Sequence, residues 1–471
     1  MYSITLLVSV SFVLALLLTP LCRNAFKYFG IVDQPDKDRK LHAAPTPRAG
    51  GVAIAFAYVG AFGVLLLLPL QARNVVLDDL PLVWRLLPAI AVIFVTGLLD
   101  DVLGLKPWQK LVGQCAGALL AIAGGVQVQG IGGFEVSWWL SIPLTAAWLL
   151  ACTNAFNLID GLDGLAAGIG AFAAATTVTV AIFQGHIPLA MATAPLLGAL
   201  LGFLRYNFQP ASVFLGDTGS LLIGFMLGSY AVLWSHKANT LFGMTAPIMV
   251  LAIPLLDTSL SICRRIVRQK PIFSADRGHI HHRLLDNGLS PRRVALSIYL
   301  VCTLAAIFSL VISVLRNTAA GLVLMIFCAV AVLLVRKLGY VELSILGRVV
   351  SRRNVLDLVG AEMVLSELQT QLTSAHNLDE QWVAICRACK HLGFCRIELC
   401  IKGRVLQEHF AAADPRESCC LRITLADDCY VQCERSLQNE QGASVIPSFA
   451  RILRNYMQHP AEKYSAHAVS M

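Results

Sequence analysis

Long apolar runs dominate the first 340 positions of the chain, and polar residues are confined to short stretches between them. A helix that crosses a bilayer needs about 20 apolar residues, and several segments approach or reach that length. The segments span residues 3–22, 49–70, 82–99, 110–126, 138–152, 164–184, 187–205, 219–235, 241–262, 294–315 and 318–335. The runs at 82–99, 110–126 and 138–152 are short, so buried or re-entrant helices are alternatives there. The pattern predicts an all-α polytopic membrane protein with about 11 transmembrane helices.

After residue 340 the pattern becomes that of a soluble module. The predicted elements are helices at 354–373 and 378–392 and strands at 396–401, 421–425 and 430–433. Helices followed by short alternating strands indicate a small C-terminal α+β soluble domain. We therefore expect a transmembrane domain over residues 1–340 and a cytoplasmic, cysteine-rich extension of unknown role over residues 341–471.

Composition narrows the class of protein. The chain is 56% hydrophobic and only 14% charged, whereas soluble domains carry about 25% charged residues. This excludes an ordinary cytosolic enzyme, a disordered protein and a nucleic-acid binder with a basic surface. The first apolar segment lacks a basic stretch before it and a small-residue cleavage pattern after it, so we expect an anchor rather than a signal peptide.

The net charge of +8 comes largely from alternate loops. Lys and Arg are concentrated at 23–48, 106–110, 264–293 and 336–337, whereas the intervening loops hold Arg73, Lys237 and Arg316. Basic residues favour the cytoplasmic side of a membrane. The pattern predicts an outward N-terminus, a cytoplasmic C-terminus and no nucleic-acid partner.

The polar clusters fall on that same cytoplasmic side. They are Asp33–Gly51, Asp100–Asp101, Asn154–Gly164, Arg205–Ser220 and Cys263–Arg293. Ionisable residues at the ends of membrane helices are costly and usually functional. We therefore expect a site at the inner membrane surface.

Two of these clusters are acidic. Asp100 and Asp101 are adjacent carboxylates that repel unless a cation or a shared proton relieves them; the alternative is a solvated loop that caps the next helix. The second cluster spaces oxygen donors by three residues, at Asn154, Asn157, Asp160 and Asp163. A helix would place these on one face, although Gly161 and Gly164 weaken a helix there. Such donors suit Mg²⁺, and a plain helix start is the alternative.

Asp217 and a histidine loop complete the polar set. Asp217 opens an apolar segment, where it predicts a metal carboxylate beside a helix N-terminus that offers N–H groups to phosphate. The loop 274–283 holds His279, His281 and His282 between Arg277 and Arg283. Adjacent histidines chelate zinc poorly, so phosphate contact is the preferred interpretation. The basic stretch at 39–51 is either a second phosphate contact or simply a positive-inside loop.

Five motifs in order resemble those of the polyprenyl-phosphate N-acetylhexosamine 1-phosphate transferases, an integral membrane family. They are DQPDKDRKLHAAPTPRAGG, GLLDDVLGLKPWQK, TNAFNLIDGLDG, RYNFQPASVFLGDTGS and DRGHIHHRL. The resemblance covers roughly residues 1–340, and the tail lies beyond it. Its HIHH loop is similar to the bacterial undecaprenyl-phosphate GlcNAc-1-phosphate transferases, whereas the MurNAc-pentapeptide enzymes typically carry three consecutive histidines.

The resemblance implies the reacting groups and the metal. The implied catalytic set is Asp100, Asp101, Lys110, Asp160, Asp163 and His279. Asp100 would activate the lipid phosphate with support from Asp101, and Lys110 would contact the nucleotide diphosphate. Asn157 and Asp217 would bind Mg²⁺, for which Mn²⁺ is a possible substitute.

The resemblance also implies substrate contacts. The implied binding set is Arg48, Asn207, Phe214, Arg277, His281 and His282. Phe214 would stack on the uracil ring and Asn207 would contact the nucleotide, while the histidines would line the sugar and phosphate side.

The implied reaction is Mg²⁺-dependent transfer of GlcNAc-1-phosphate from UDP-GlcNAc to undecaprenyl phosphate, with release of UMP. It would start lipid-linked surface polysaccharide synthesis at the bacterial inner membrane, with membrane lipid around the enzyme and a homodimer as a possible assembly. Alternatives are another UDP-N-acetyl sugar, UDP-MurNAc-pentapeptide, or, in a different class, a secondary transporter. A membrane scaffold with a decayed enzyme core is disfavoured because the motifs are intact.

The tail holds eight of the chain's 14 cysteines. A cytoplasmic location argues against stable disulfides. Cys386 and Cys389 have a zinc-like spacing but fall in a helical pattern without a clear second pair. We expect these cysteines to be small core residues.

Overall fold

A computed structural model describes most of the 471 residues. The residues outside the description are 1, 35–44, 70, 79, 132–133, 236–250, 268–277, 315–324, 331–332, 334–363, 376, 402–403, 411–417, 427–428, 437–445 and 458–471. The chain divides into two compact units, Met1–Glu342 and Leu343–Met471.

The first unit is built almost entirely from helices. In chain order they are α1 (Tyr2–Tyr28), α2 (Gly50–Leu67), α3 (Gln71–Asp78), α4 (Leu80–Leu103), α5 (Pro107–Ala123), α6 (Trp138–Ile159), α7 (Leu165–Phe183), α8 (Ile187–Asn207), α9 (Gly216–Ser235), α10 (Ala252–Val267), α11 (Ile280–Asp286) and α12 (Pro291–Val314). Among the described residues, eight of these helices are long and apolar enough to cross a membrane, namely α1, α2, α4, α6, α7, α8, α9 and α12. The predicted multi-pass architecture is confirmed, but the count of 11 is not.

The remaining predicted segments fare differently. The run at 110–126 forms α5, which has 17 residues and is short for a full crossing. The segment 241–262 is described only from residue 251 onward, and most of 318–335 lies outside the described residues. The segment predicted at 138–152 is longer than expected, because α6 continues through the polar Asn154 and Asn157 to Ile159.

Small residues let the membrane helices approach closely. Gly202 on α8 faces α1 so tightly that an added Cβ would lie 2.5 Å from the Phe12 carbonyl oxygen. Gly51 at the start of α2 meets the backbone of α9 at Thr218 and Gly219, where a side chain would overlap main-chain atoms. Close backbone contact is a common way to pack helices in lipid. Of the eight described spans α9 is the most enclosed, since 89% of the stretch Gly216–Leu233 is buried.

Two short antiparallel hairpins join the helices. Strands β1 (Val32–Asp33) and β2 (Thr46–Pro47) pair ahead of α2, and β3 (Gly130–Ile131) pairs with β4 (Phe134–Glu135) ahead of α6. The first pair of strands holds Val32–Asp33 against Thr46–Pro47 just before the N-terminus of α2. It therefore fixes the entry of a motif-bearing stretch into the membrane unit.

The second unit is a small α+β fold, as predicted. Its strands are β5 (Arg396–Ile401), β6 (Arg404–His409), β7 (Ser418–Ala426) and β8 (Cys429–Ser436), which form one antiparallel sheet in the order β6-β5-β8-β7. Helices α13 (Leu378–His391) and α14 (Ile446–Met457) contribute to its core, together with helical residues at 364–374. Strand β6 and helix α14 were not predicted, and residues 354–363 of the first predicted helix lie outside the described part of the chain.

The cysteines of this unit behave as core residues where they are buried. Cys389 on α13 and Cys433 on β8 are both fully buried in the apolar core. Burial raises the pKa of the Cys389 thiol well above its ordinary value, so this group does not resemble a thiolate metal ligand. The structure describes all 14 cysteines as free thiols.

Candidate functional site

Asp101, in the last turn of α4, closes the N-terminus of α9. Its Oδ1 accepts from Asp217 N at 2.8 Å, and its Oδ2 accepts from Thr218 N at 2.8 Å and Thr218 Oγ1 at 2.6 Å. The open N–H groups of a helix start are satisfied here by a carboxylate from another helix. The prediction that this helix end offers N–H groups to phosphate is therefore wrong for Asp217 and Thr218, because Asp101 already occupies them.

Gly216 makes this cap possible. Its φ of +74° is a left-handed conformation, and an added Cβ would lie 2.6 Å from Asp101 Oδ2. Both the backbone angle and the space require a residue without a side chain. The Gly-Asp-Thr-Gly sequence thus encodes a seat for a carboxylate that lies 116 positions away in the chain.

Lys110 joins the two remaining carboxylates of the centre. Its Nζ lies 2.6 Å from Asp100 Oδ2 and also contacts Asp217 Oδ2. Asp100 is further held by Leu105 N, which donates to its Oδ1 at 2.8 Å. Asp100 is nearly buried at 5% side-chain exposure, whereas Lys110 and Asp217 are 24% and 20% exposed and so face the accessible side.

The position of Lys110 is unusual for a helix. α5 begins at Pro107, where Lys106 N donates to Gln109 Oε1 at 2.8 Å in a capping arrangement. A cation in the first turn opposes the helix dipole. The two carboxylates offset this cost, so Lys110 is held by the acidic centre rather than by its own helix.

Asn157 and its neighbours bring α6 to the same centre. Asn157 Nδ2 donates to Ser220 Oγ at 3.1 Å on the first turn of α9, and the Asn157 amide also lies within hydrogen-bonding reach of Asp217. One turn earlier, Asn154 exchanges two amide hydrogen bonds with Gln114 at 2.7 and 3.3 Å. Gln114 is buried and lies one turn after Lys110 on α5, so this amide pair sets α5 in register with α6.

The loop after α6 turns away from the helix. α6 ends at Ile159, so the predicted common face is continuous only for Asn154 and Asn157, while Asp160 and Asp163 lie in a turn. Burial, and then the charges of Asp217 and Asp101, raise the pKa of the Asp160 carboxyl well above its ordinary value. Asp160 therefore belongs electrostatically to the acidic centre.

Asn207 and Asp163 hold this loop by its backbone. Asn207 is buried; its Oδ1 accepts from Gly164 N at 3.1 Å and its Nδ2 donates to Val213 O at 2.9 Å. Asp163 Oδ2 accepts from Ala211 N at 2.9 Å. These contacts join two motifs to one another. The nucleotide contact expected of Asn207 stays a prediction, and the structure assigns its side chain to the loop.

The basic stretch before α2 meets the segment that carries Phe214. Phe214 N donates to Pro47 O at 2.9 Å, and Gly50 N donates to Phe214 O at 3.0 Å. Arg48 Nη2 forms a 2.5 Å ion pair with Asp33 Oδ1, and its guanidinium also interacts with the charges of Asp101 and Asp217. Arg48 therefore faces the acidic centre, with Phe214 partly exposed beside it.

His279 precedes α11, which carries His281 and His282, so the predicted loop is helical from residue 280 onward. His281 is 1% exposed, and among the described residues neither ring nitrogen has a hydrogen-bond partner. It lies against Gly161, where an added Cβ would be 2.5 Å from His281 Nε2. Burial, followed by the neighbouring His282, lowers the pKa of His281 to about 3, so this imidazole is neutral near pH 7. Arg277 lies outside the described residues.

Several polar residues that the sequence reasoning missed belong to this arrangement. They are Gln114, Thr218, Ser220, Asp257 and Tyr299. Tyr299 Oη donates to Gly164 O at 2.6 Å and so supports the loop from α12. The available signal was a polar side chain inside an apolar run, which is costly in a membrane unless it has a partner.

The donor set fits a hard cation that takes only part of its shell from protein. No group of three or more His, Cys, Asp or Glu side chains able to share a metal ion occurs in the described ranges. Asp217 and Asn157 nevertheless lie within hydrogen-bonding reach of one another, and their side chains carry carboxylate and amide oxygens. Mg²⁺ usually takes one or two carboxylates and completes its shell with water and substrate phosphates, so these residues suit Mg²⁺ better than zinc.

Comparison with known proteins agrees with this geometry. A family model described as Glycosyl transferase family 4 matches residues 83–235. A probable undecaprenyl-phosphate N-acetylglucosaminyl 1-phosphate transferase of Bacillus subtilis is 36% identical over 326 residues, which cover 67% of this chain and 86% of the relative. A decaprenyl-phosphate N-acetylglucosaminephosphotransferase of Mycobacterium tuberculosis is 38% identical over 58% of this chain and 73% of its own length.

A more distant relative shares the same core. The phospho-N-acetylmuramoyl-pentapeptide-transferase of Desulforudis audaxviator is 32% identical over 302 residues, which cover 58% of this chain and 86% of that protein. The extent and identity of these matches, together with the convergence of the motifs at one set of helix ends, show that this multi-pass membrane protein is a phosphotransferase of the polyprenyl-phosphate N-acetylhexosamine 1-phosphate transferase family.

Proposed function

We propose that the enzyme transfers GlcNAc-1-phosphate from UDP-GlcNAc to undecaprenyl phosphate, with Mg²⁺ as cofactor and UMP as the second product. The observation that carries the proposal is Lys110 held between Asp100 and Asp217, beside the amide of Asn157. A cation within an acidic cluster at the ends of membrane helices suits a diphosphate that must meet a lipid phosphate at the bilayer surface.

The proposed reaction is direct displacement at phosphorus. A lipid phosphate oxygen forms a bond to the β-phosphorus of the sugar nucleotide, and the bond from that phosphorus to the bridging oxygen breaks, which releases UMP. Asp101 is an unsuitable nucleophile because both its oxygens accept from the start of α9. Asp100 also has both oxygens engaged, by Leu105 N and Lys110 Nζ. This favours direct attack over a covalent phospho-enzyme.

The residues divide the work by position. Lys110 would bind the diphosphate, and Asp100 would place and activate the acceptor phosphate. A carboxylate and a phosphate repel one another, and the ammonium of Lys110 would offset this repulsion. Asp217 and Asn157 would hold Mg²⁺, which when bound would offset negative charge on the diphosphate. Arg48 and Phe214, on the adjacent segment, would bind the nucleotide.

The GlcNAc donor is supported by two observations. The relatives with the higher identities, 36% and 38%, are named as N-acetylglucosaminyl-type transferases, and the MurNAc-pentapeptide relative is at 32%. The chain also carries His-Ile-His-His rather than three consecutive histidines. We infer that the pathway product begins a lipid-linked surface polysaccharide and that the site faces the cytoplasm, as the basic loops predict.

The test uses the purified full-length chain in detergent with undecaprenyl phosphate and Mg²⁺. Each of UDP-GlcNAc, UDP-GalNAc and UDP-MurNAc-pentapeptide is supplied in turn, with UMP and the lipid product measured separately. We expect product from UDP-GlcNAc, loss of turnover with EDTA and recovery with Mg²⁺. Product from UDP-MurNAc-pentapeptide alone would overturn the donor assignment, and turnover that survives EDTA would overturn the cofactor assignment.

A second experiment tests sidedness. Cys419 and Cys420 are exposed on strand β7, so they serve as natural reporters for a membrane-impermeant maleimide. We expect labelling in inverted membrane vesicles and none in intact spheroplasts. The reverse pattern would place the C-terminal unit on the outer side and contradict the proposed orientation.

A further inference from the structure

Asp257 is a buried carboxylate within the apolar sequence of α10. It is only 1% exposed and follows Ala252-Ile-Pro-Leu-Leu in the chain. An ionised carboxylate in such a place is costly unless it has partners. The reaction scheme above does not use this residue.

Both oxygens of Asp257 form hydrogen bonds with two consecutive residues at the start of α11, His279 and Ile280. Oδ2 lies 2.9 Å from His279 Nδ1, and Oδ1 accepts from Ile280 N at 2.8 Å. His279 is itself buried at 5% exposure. A carboxylate on Nδ1 places the proton on that nitrogen and fixes the ring, so that Nε2 is the atom directed away from Asp257.

Arg264 holds the residue just before this pair. It lies seven positions, or about two helical turns, after Asp257 and therefore on the same side of α10. Its Nη2 donates to Gly278 O at 2.8 Å. The guanidinium packs so closely on Gly278 that a Cβ there would overlap it. α10 thus holds residues 278–280 through one carboxylate, Asp257, and one guanidinium, Arg264.

These contacts continue from His279 to the acidic centre through His281. The rings of His279 and His281 stack nearly parallel, with centroids 5.7 Å apart and an interplanar angle of 8°. His281 in turn lies against Gly161, next to Asp160 in the loop that follows α6. A rotation of His279 would therefore disturb the loop that carries Gly161 and Asp160.

We propose that Asp257 is a positioning residue of the transferase, which orients His279 toward the bound sugar nucleotide and which works with Arg264 to fix residues 278–280 at the start of α11. The inference rests on the proposed function, and on the place beside the sugar and phosphate that the family resemblance implies for His279. It does not depend on which UDP-sugar is the donor.

The first test is independent of turnover. Hydrogen–deuterium exchange of the full-length enzyme is followed by mass spectrometry for peptides that cover 278–286. Asp257→Asn should speed exchange in these peptides at least tenfold and leave peptides of α6 and α9 unchanged. Thr258→Val is the matched control, because Thr258 is a buried neighbour whose Oγ1 has no hydrogen-bond partner among the described residues. Equal exchange in Asp257→Asn and the wild type would overturn the proposal that Asp257 holds residues 278–280.

The second test is a double-mutant cycle on activity. Loss of a residue that supports a functional histidine typically costs about 10–100-fold. We expect Asp257→Asn to lower kcat by that factor with little change in KM, and His279→Ala to lower it at least as much. The double variant should be no worse than His279→Ala, because Asp257 acts through that ring. Multiplicative losses would show that Asp257 acts independently of His279.

A conservative variant guards against misfolding. Asp257→Glu keeps the carboxylate but moves it by one methylene, so it should fold, retain part of the exchange protection and recover part of kcat. If Asp257→Asn yields no folded protein, the cycle is run with Asp257→Glu and Asp257→Glu/His279→Ala. Wild-type kcat and exchange in Asp257→Glu, with full activity retained by His279→Ala, would overturn the proposal.

Discussion

The two units of the chain bury different chemistry. In the membrane unit, charged and amide side chains such as Asp100, Asp101 and Asp257 are buried and joined by hydrogen bonds. In the C-terminal unit, the buried polar groups are chiefly thiols, and ionic groups such as Arg396 and Glu398 pair on the more exposed side of the sheet. Buried charge is expensive, so its concentration in one unit marks the site, whereas buried thiols mark ordinary packing.

The largest effect is expected at Asp217. Replacing it with Asn removes the carboxylate shared by Lys110 and the proposed cation, and we expect turnover to fall by at least about 10³-fold, the scale of about 4 kcal/mol in transition-state stabilisation. UMP release by purified protein measures it. Asp78→Asn, at an exposed position of α3, is the matched control and should retain full activity. Appreciable turnover in Asp217→Asn would remove this residue from the site.

Gly216→Ala should come next. The new Cβ would meet the Asp101 carboxylate and impose a left-handed backbone on alanine, a cost of about 1–2 kcal/mol before any repacking. We expect a loss of turnover of about 10–100-fold, in line with that cost plus the displaced cap.

Gly185→Ala separates the two causes of that loss. Gly185 has the same φ of +74°, but an added Cβ there meets nothing within 4 Å. It should lower thermal stability slightly and leave kcat unchanged. Equal losses of activity in both variants would mean that backbone strain, and not the carboxylate seat, explains the effect.

A smaller effect is expected where the site is only held in register. Gln114→Leu breaks the reciprocal amide pair with Asn154 and leaves the partly buried Asn154 amide without that partner, which costs at most about 1–3 kcal/mol. Because Gln114 touches no proposed ligand, we expect kcat to fall about tenfold or less, with KM for the sugar nucleotide little changed. Gln184→Leu, at an exposed position, should change neither constant.

In the C-terminal unit the same kind of substitution should alter stability but not chemistry. Cys389→Ser places a hydroxyl in an apolar core and should destabilise that unit by about 1–3 kcal/mol. Cys419→Ser, at an exposed position of strand β7, should have no effect. Limited proteolysis across a urea gradient reads the difference, and UMP release should be equal in both variants. A catalytic loss in Cys389→Ser alone would link the unit to the reaction.

The smallest effect is expected from removing the C-terminal unit. All of the described site residues lie before residue 343, so deletion of 343–471 should leave turnover per folded enzyme unchanged. The readout is UMP release normalised to monodisperse protein. A large drop in kcat would break the contrast between the two units and would indicate a regulatory contact.

The sequence predicted a multi-pass helical unit for a physical reason, and the fold brings the motif residues Asp100, Lys110 and Asp217 together. Apolar length determines where a chain can cross lipid, and polar residues at the ends of such runs are rarely accidental. The prediction failed where a contact joins distant positions. Nothing local shows that Asp101 caps α9, since its partners lie 116 and 117 residues away.

The C-terminal unit shows the same limit in another form. Strand β6 was missed because it has no buried face: Leu406 is partly buried and the other five residues are exposed. Arg404–His409 therefore lacks the alternation that marks a half-buried strand. Its existence depends on pairing with β5 along all six residues. Likewise Asp257 was hidden by its apolar neighbours, although a single acid in such a run was a usable signal.

The cap at the start of α9 has a consequence for inhibitors. Asp101 is an anion that the protein carries within itself, so a phosphonate or sulfonate compound cannot gain those two amides without displacing a tethered competitor. Compounds that mimic the nucleotide diphosphate should instead direct their charge at the ammonium of Lys110, which is partly open to solvent. A resistance mutation that removes this contact would have to replace Lys110. That change would also leave Asp100 and Asp217 without the cation that they share.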